Sequence, residues 1–217
     1  ERQRKRALKW FAWKVQNPGG VPGVILILCG GKGTGKNSVV DPIVRLHGAH
    51  GAVYDDSEQV AGRFTGHQMT IAFAVLDEAL FTGDPRQMDR IKARVTATNA
   101  TYEFKGRDPI RGVNHCAYVS LTNHTRVGQA TIDERRAFVV NVADTLRGDR
   151  AFWSAYHEWL SNGGASALLH YLQGVDLSGF DPRQIPQSDA LARQVEMTAL
   201  RNPAAAWWHA ILCEGAI

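Results

Sequence analysis

The stretch Val24-Ile-Leu-Ile-Leu-Cys-Gly-Gly-Lys-Gly-Thr-Gly-Lys-Asn-Ser38 constrains this chain more than any other. Its six leading apolar residues, five of them Val, Ile or Leu, predict a buried strand. The strand runs into a glycine-rich loop, and a helix is expected to follow. Gly30, Gly35 and Lys36 match the phosphate-loop spacing, in which Gly is followed after four residues by Gly-Lys. Glycines let consecutive backbone N–H groups curl around a phosphate without side-chain obstruction. The helix N-terminus adds partial positive charge, and the lysine reaches the outer phosphates. Residues 31–38 (Gly31, Lys32, Gly33, Thr34, Gly35, Lys36, Asn37 and Ser38) are therefore the expected nucleotide cradle. The residue after the lysine is ordinarily Ser or Thr, whose hydroxyl holds Mg²⁺, but here it is Asn37. An amide oxygen is a hard neutral ligand that Mg²⁺ accepts, so Asn37 reads as a substitute ligand. A weakened metal site is the alternative.

A second apolar run, Ile71-Ala-Phe-Ala-Val-Leu, ends in Asp77-Glu78. In nucleotide-hydrolysing phosphate-loop proteins an acid at a strand end completes the Mg²⁺ shell, and its neighbour is placed to polarise water. A third run, His115 to Asn123, closes on a polar amide. In a parallel sheet Asn123 falls beside the Asp77 strand end, where it would hold the attacking water or sense the γ-phosphate. As a plain alternative, Asn at a strand end is a common turn former. Arg135 and Arg136 then enter a last strand, 137–142.

Composition sets the outer limits. The chain has 217 residues, 44% of them apolar, which supports a substantial core in one large domain or in one domain with an accessory helical piece. No run approaches the roughly 18 apolar residues of a membrane span. The chain begins at Glu1 and reads as a piece of a longer protein. Cys29 and Cys116 sit in apolar runs, Cys213 lies far from both, and the three have no metal-type spacing, which fits a reducing compartment. The net charge of +4 is local: residues 1–14 carry +5 and the remainder −1.

Residues 2–16 predict an amphipathic helix with Leu8, Phe11 and Val15 on one face and Trp10 and Trp13 beside them. Its cations, Arg2 to Lys14, read equally as a nucleic-acid contact or a solvated face. The tryptophans are expected to pack on the main domain. Residues 84–96 predict a basic helix. Alternation on both sides of Lys105-Gly-Arg-Asp108 predicts a β-hairpin with a basic tip, with Lys105, Arg107 and Arg111 as candidate DNA contacts. Beyond 149 the pattern is helical, with Phe152, Trp153, Tyr156, Trp159 and Leu160 expected to form one apolar face. The expected organisation is a basic helix (1–19), an α/β phosphate-loop core with a parallel sheet (20–148) and a C-terminal helical segment (149–217).

In this order, the phosphate loop, Asp-Glu strand, basic hairpin, strand ending in Asn and paired arginines resemble the helicase domain of superfamily 3, related to the AAA+ ATPases. The likeness covers roughly residues 20–145 and looks closest to phage and mobile-element primase–helicase proteins. The resemblance implies an ATP- and Mg²⁺-dependent ring, usually a hexamer, on single-stranded DNA in the bacterial host cytoplasm, with a primase or polymerase domain fused or associated. It implies that Lys36 holds phosphate, Asp77 holds Mg²⁺ through water, Glu78 activates the water, and Asn123 is the sensor. It further implies that 101–111 tracks DNA and that Arg135 or Arg136 acts in trans. A small-molecule or nucleoside kinase built on the same loop, or a nucleotide-dependent assembly module, are the competing readings.

Overall fold

The computed structural model describes residues 2–77, 85–123 and 136–185. Glu78, Arg135, Cys213 and the part of the expected C-terminal helical segment beyond residue 185 lie outside the described residues. In chain order the elements are α1 (Arg2–Gln16), β1 (Ile25–Cys29), α2 (Lys36–His47), β2 (Gly51–Tyr54), α3 (Ser57–Ala61) and β3 (Phe73–Asp77). They continue with α4 (Pro85–Thr96), β4 (Asn99–Tyr102), β5 (Ile110–Val113), β6 (Ala117–Thr122), β7 (Ala137–Asn141), α5 (Arg150–Trp159) and α6 (Ala165–Gln173).

Five strands form one parallel sheet in the order β2-β3-β6-β1-β7. The continuous apolar runs of β1, β3 and β6 are what a sheet buried on both faces requires. Strand alternation then sorts side chains between two cores. Ile25, Ile27, Cys29, Ala74, Leu76 and Tyr118 meet Val60, Ile91 and Val95 of α3 and α4 on one face. Leu26, Leu28, Phe73, Val75, Val119, Leu121 and Phe138 meet Trp10, Phe11, Val40, Ile43 and Leu172 on the other. Each large apolar side chain withdrawn from water in this way contributes about 1.5–3 kcal/mol.

The α1 tryptophan Trp10 is 1% exposed and fills the second core, as expected of a tryptophan that packs on the main domain. One cation of the basic stretch behaves differently. Lys14 is fully buried, and its ammonium donates to the carbonyls of Pro18, Gly20 and His115 at 2.6, 3.1 and 2.6 Å. It locks the end of α1 onto the start of the β6 segment and is withdrawn from any nucleic acid. Burial lowers its pKa from 10.5 to about 8.

The apolar face expected on α5 is not a core face. Phe152 and Trp159 remain 40% and 41% exposed, and only Leu160, just beyond the helix, is buried. The reason is position: α5 lies over the phosphate loop at the rim of the sheet.

The hairpin of β4 and β5 is antiparallel, Thr101 opposite Arg111, and forms a separate two-stranded ribbon. Its root is fixed. Buried Asn114 donates to the carbonyls of Arg94 and Ala97, both at 2.8 Å, and accepts from the Cys116 N–H. Its tip turns at Gly106, whose φ of 72° favours glycine.

Candidate functional site

All five sheet strands run in one direction, so their carboxyl ends share an edge. In open α/β sheets ligands bind at that edge, where neighbouring connections diverge. Here β1 sits between β6 and β7, and its loop leaves the sheet at that point. Gly33 and Gly35 hold φ of 76° and 86°, the left-handed region that a side chain would strain. Gly30 is needed for another reason: a Cβ there would lie 3.0 Å from the Val142 carbonyl oxygen. Buried Thr34 donates to the Gly31 carbonyl at 3.0 Å and pins the loop from within. Gly35 provides no side-chain cap to α2, so the first N–H groups of that helix face the loop.

Lys36 folds back beneath the loop. It is buried and donates to the carbonyls of Gly30 and Gly31 at 2.7 and 2.8 Å, and to the Asn123 amide oxygen at 2.8 Å. This reach is a consequence of strand order. The strand carrying Asn123, β6, lies between β1 and the acid-bearing β3, pairing with both. Asn37, one position along, donates from Nδ2 to Asp77 Oδ2 at 3.1 Å. Lys36, Asn37, Asp77 and Asn123 are thus brought together from three segments. With Lys32, Gly33, Thr34, Gly35 and Ser38 they line a cavity of about 640 Å³. An anion in that cavity would meet the loop N–H groups and Lys36. A divalent cation would meet Asp77 and the Asn37 amide after rotation of its oxygen inward.

Three further lining residues escaped the sequence reading: Asp55, Trp153 and His157. Asp55 follows β2, an edge strand of four residues, too short to advertise a site. Trp153 was expected on an apolar helix face, and His157 carried no expectation. One signal was available in Pro42, inside α2. Proline has no N–H, so the Ser38 carbonyl one turn earlier has no helix partner. The Tyr156 hydroxyl supplies the missing donor at 2.5 Å.

Other expected site residues lie elsewhere. Arg136 precedes β7 at the opposite edge of the sheet and donates to the Lys92 carbonyl of its own chain at 3.4 Å. Lys105, Arg107 and Arg111 are exposed on the hairpin, and none of them lines the cavity. Two cations of α4 are structural: Arg90 donates to the Ala61 carbonyl, and Arg94 to Gln68 Oε1 while lying over the Tyr102 ring.

Fold and loop together define a phosphate-loop α/β domain with a five-stranded parallel sheet flanked by helices. The chain belongs to the family of unknown function DUF5906, whose profile matches residues 28–136. That span runs from the end of β1 to the start of β7 and includes every residue of the cavity except those of α5. No curated protein matches the chain. The fold is similar to apo structures of the NrS-1 C-terminal region. One is 19% identical over 98% of this chain and 53% of that chain, with a TM-score of 0.75. Another is 21% identical over 89% and 46%, with a TM-score of 0.73. The chain therefore spans about half the length of these structures. Among the described residues, no helix is long and apolar enough to cross a membrane.

Proposed function

We propose that this chain is the ATPase domain of a superfamily 3-type replication helicase of a phage or mobile element, acting on single-stranded DNA as a homo-oligomeric ring. The observation that carries the reading is the Lys36–Asn123 contact beside the Asn37–Asp77 contact. A phosphate-binding lysine, a strand-end amide and a strand-end carboxylate meet on one loop, and phosphoryl transfer needs positioning and charge stabilisation of this kind.

The residues fit a nucleoside triphosphate with Mg²⁺. Backbone N–H groups of the loop hold the phosphates, and Lys36 exchanges its carbonyl partners for outer phosphate oxygens. Asp77 and Asn37 offer oxygen to the metal, which when bound neutralises charge between the outer phosphates. Asn123, released from the lysine, is positioned to orient water, and Glu78 follows Asp77 directly as the group that takes its proton. The exposed cations of the hairpin meet DNA phosphates without reading sequence. The resemblance in motif order supports the replication setting, and the likeness to the NrS-1 C-terminal region supports the fold on which it rests.

The test is ATP turnover with and without single-stranded DNA, alongside Lys36→Ala. Turnover stimulated by DNA and lost in the variant is expected. Turnover indifferent to DNA, with phosphate passed to a small acceptor, would point to the kinase reading. Size exclusion with and without ATP and Mg²⁺ tests the ring.

A further inference from the structure

The phosphate-loop end of the cavity is backbone and charge, but its α5 wall is aromatic. Trp153 leans on the loop so closely that a Cβ at Gly35 would overlap its ring. Its indole N–H donates to the Leu146 carbonyl at 2.8 Å, which fixes the ring and spends its one polar atom. His157, one helical turn on, lines the same cavity. Between them Tyr156 packs edge-on against Trp153, with ring centres 5.8 Å apart, and bonds the Ser38 carbonyl. The aromatic wall is therefore attached to α2 at Ser38, just past the lysine.

We propose that Trp153, flanked by His157, is the nucleoside-binding wall of this site, holding the base by stacking and not by reading its edge. The proposal rests on the nucleotide reading above and adds which part of the ligand α5 meets. A ring whose N–H is already committed has no polar atom left to read a base edge, and every base has a face that can stack on a ring. Affinity gained in this way is tolerant of base identity. The chain would then accept purine and pyrimidine triphosphates with little discrimination.

The experiment is calorimetric binding of ATP, CTP and inorganic tripolyphosphate to the whole chain and to Trp153→Ala, Trp153→Phe and Lys36→Ala. Tripolyphosphate carries the charge of the ligand without its base. Trp153→Ala should weaken ATP and CTP alike by about tenfold to hundredfold, the range of one lost base stack. It should leave tripolyphosphate unchanged, and Trp153→Phe should keep most of the nucleotide affinity. If Trp153→Ala weakens tripolyphosphate equally, the ring only shapes the loop and the proposal is overturned. If it weakens neither ligand, the base lies elsewhere and the proposal also fails. Should Trp153→Ala not fold, Trp153→Phe decides: loss of the nucleotide-induced fluorescence change expected of the wild type, with affinity kept, supports stacking, and an unaltered change refutes it. Failure of the wild type to bind either ATP or tripolyphosphate, by contrast, removes the nucleotide reading itself.

Discussion

The Tyr156 hydroxyl donates to the carbonyl of Ser38, the one α2 carbonyl that Pro42 deprives of its helical N–H. A defect in one helix thereby becomes a docking point for another, 118 residues away in sequence. Removing the hydroxyl in Tyr156→Phe should cost about 1–3 kcal/mol, because a part-buried carbonyl loses its partner. In a Pro42→Ala background the restored N–H can bond Ser38, so the same change should cost less. A double-mutant cycle by urea denaturation measures the difference, and additive losses would show that the two residues are uncoupled.

Asn123 should be sensitive to charge. Asn123→Asp places a carboxylate where the amide now meets Lys36, and charge-assisted hydrogen bonds are roughly twice as strong as neutral ones. The lysine would be held away from phosphate, and ATP affinity should fall at least about tenfold. Unchanged affinity would separate Asn123 from the lysine in the bound state.

Glu78 follows Asp77 at the strand end. Glu78→Gln should bind ATP with Mg²⁺ yet turn over about 10² more slowly, the ordinary magnitude for losing a positioned general base. Loss of binding in place of turnover would make it a metal or structural group.

For DNA, the hairpin and α1 are rival cation sources. Lys105→Ala with Arg107→Ala should abolish DNA stimulation of turnover and spare basal turnover, since neither residue lines the cavity. The paired control is Arg2→Ala with Lys5→Ala. Deleting α1 is unsuitable as a control, because it would strip Trp10, Phe11 and Lys14 from the core. If the α1 pair alone removes stimulation, the hairpin is only surface.

Lys14 gives a pH signature. Folded, it titrates near 8, and unfolded near the ordinary 10.5. Between these values the unfolded chain binds more protons, so this residue's contribution to stability rises with pH across the window. Comparing denaturation midpoints of the wild type and Lys14→Met from pH 7.5 to 10.5 isolates it. The wild type should gain on the variant as pH rises, and a constant difference would overturn the assignment.

What the amino-acid order determined by itself is the local machinery. The apolar runs ending in Cys29, Asp77 and Asn123, the glycine spacing, and the alternation about Lys105–Asp108 each express a short-range rule of strand, loop or hairpin, and all appear where those rules put them. The sheet placed Asn123 beside Asp77 because parallel strands share a carboxyl edge. Only the tertiary structure decided which cation of the basic N-terminal stretch is buried: Lys14 looks like Lys9 in sequence, but the carbonyls of Pro18, Gly20 and the distant His115 capture it. It also decided that the aromatic residues of α5 border the cavity and do not fill a core. Helical periodicity marks a face as apolar but not what that face meets, and here one partner is the Ser38 carbonyl, 118 residues before Tyr156 and freed by Pro42.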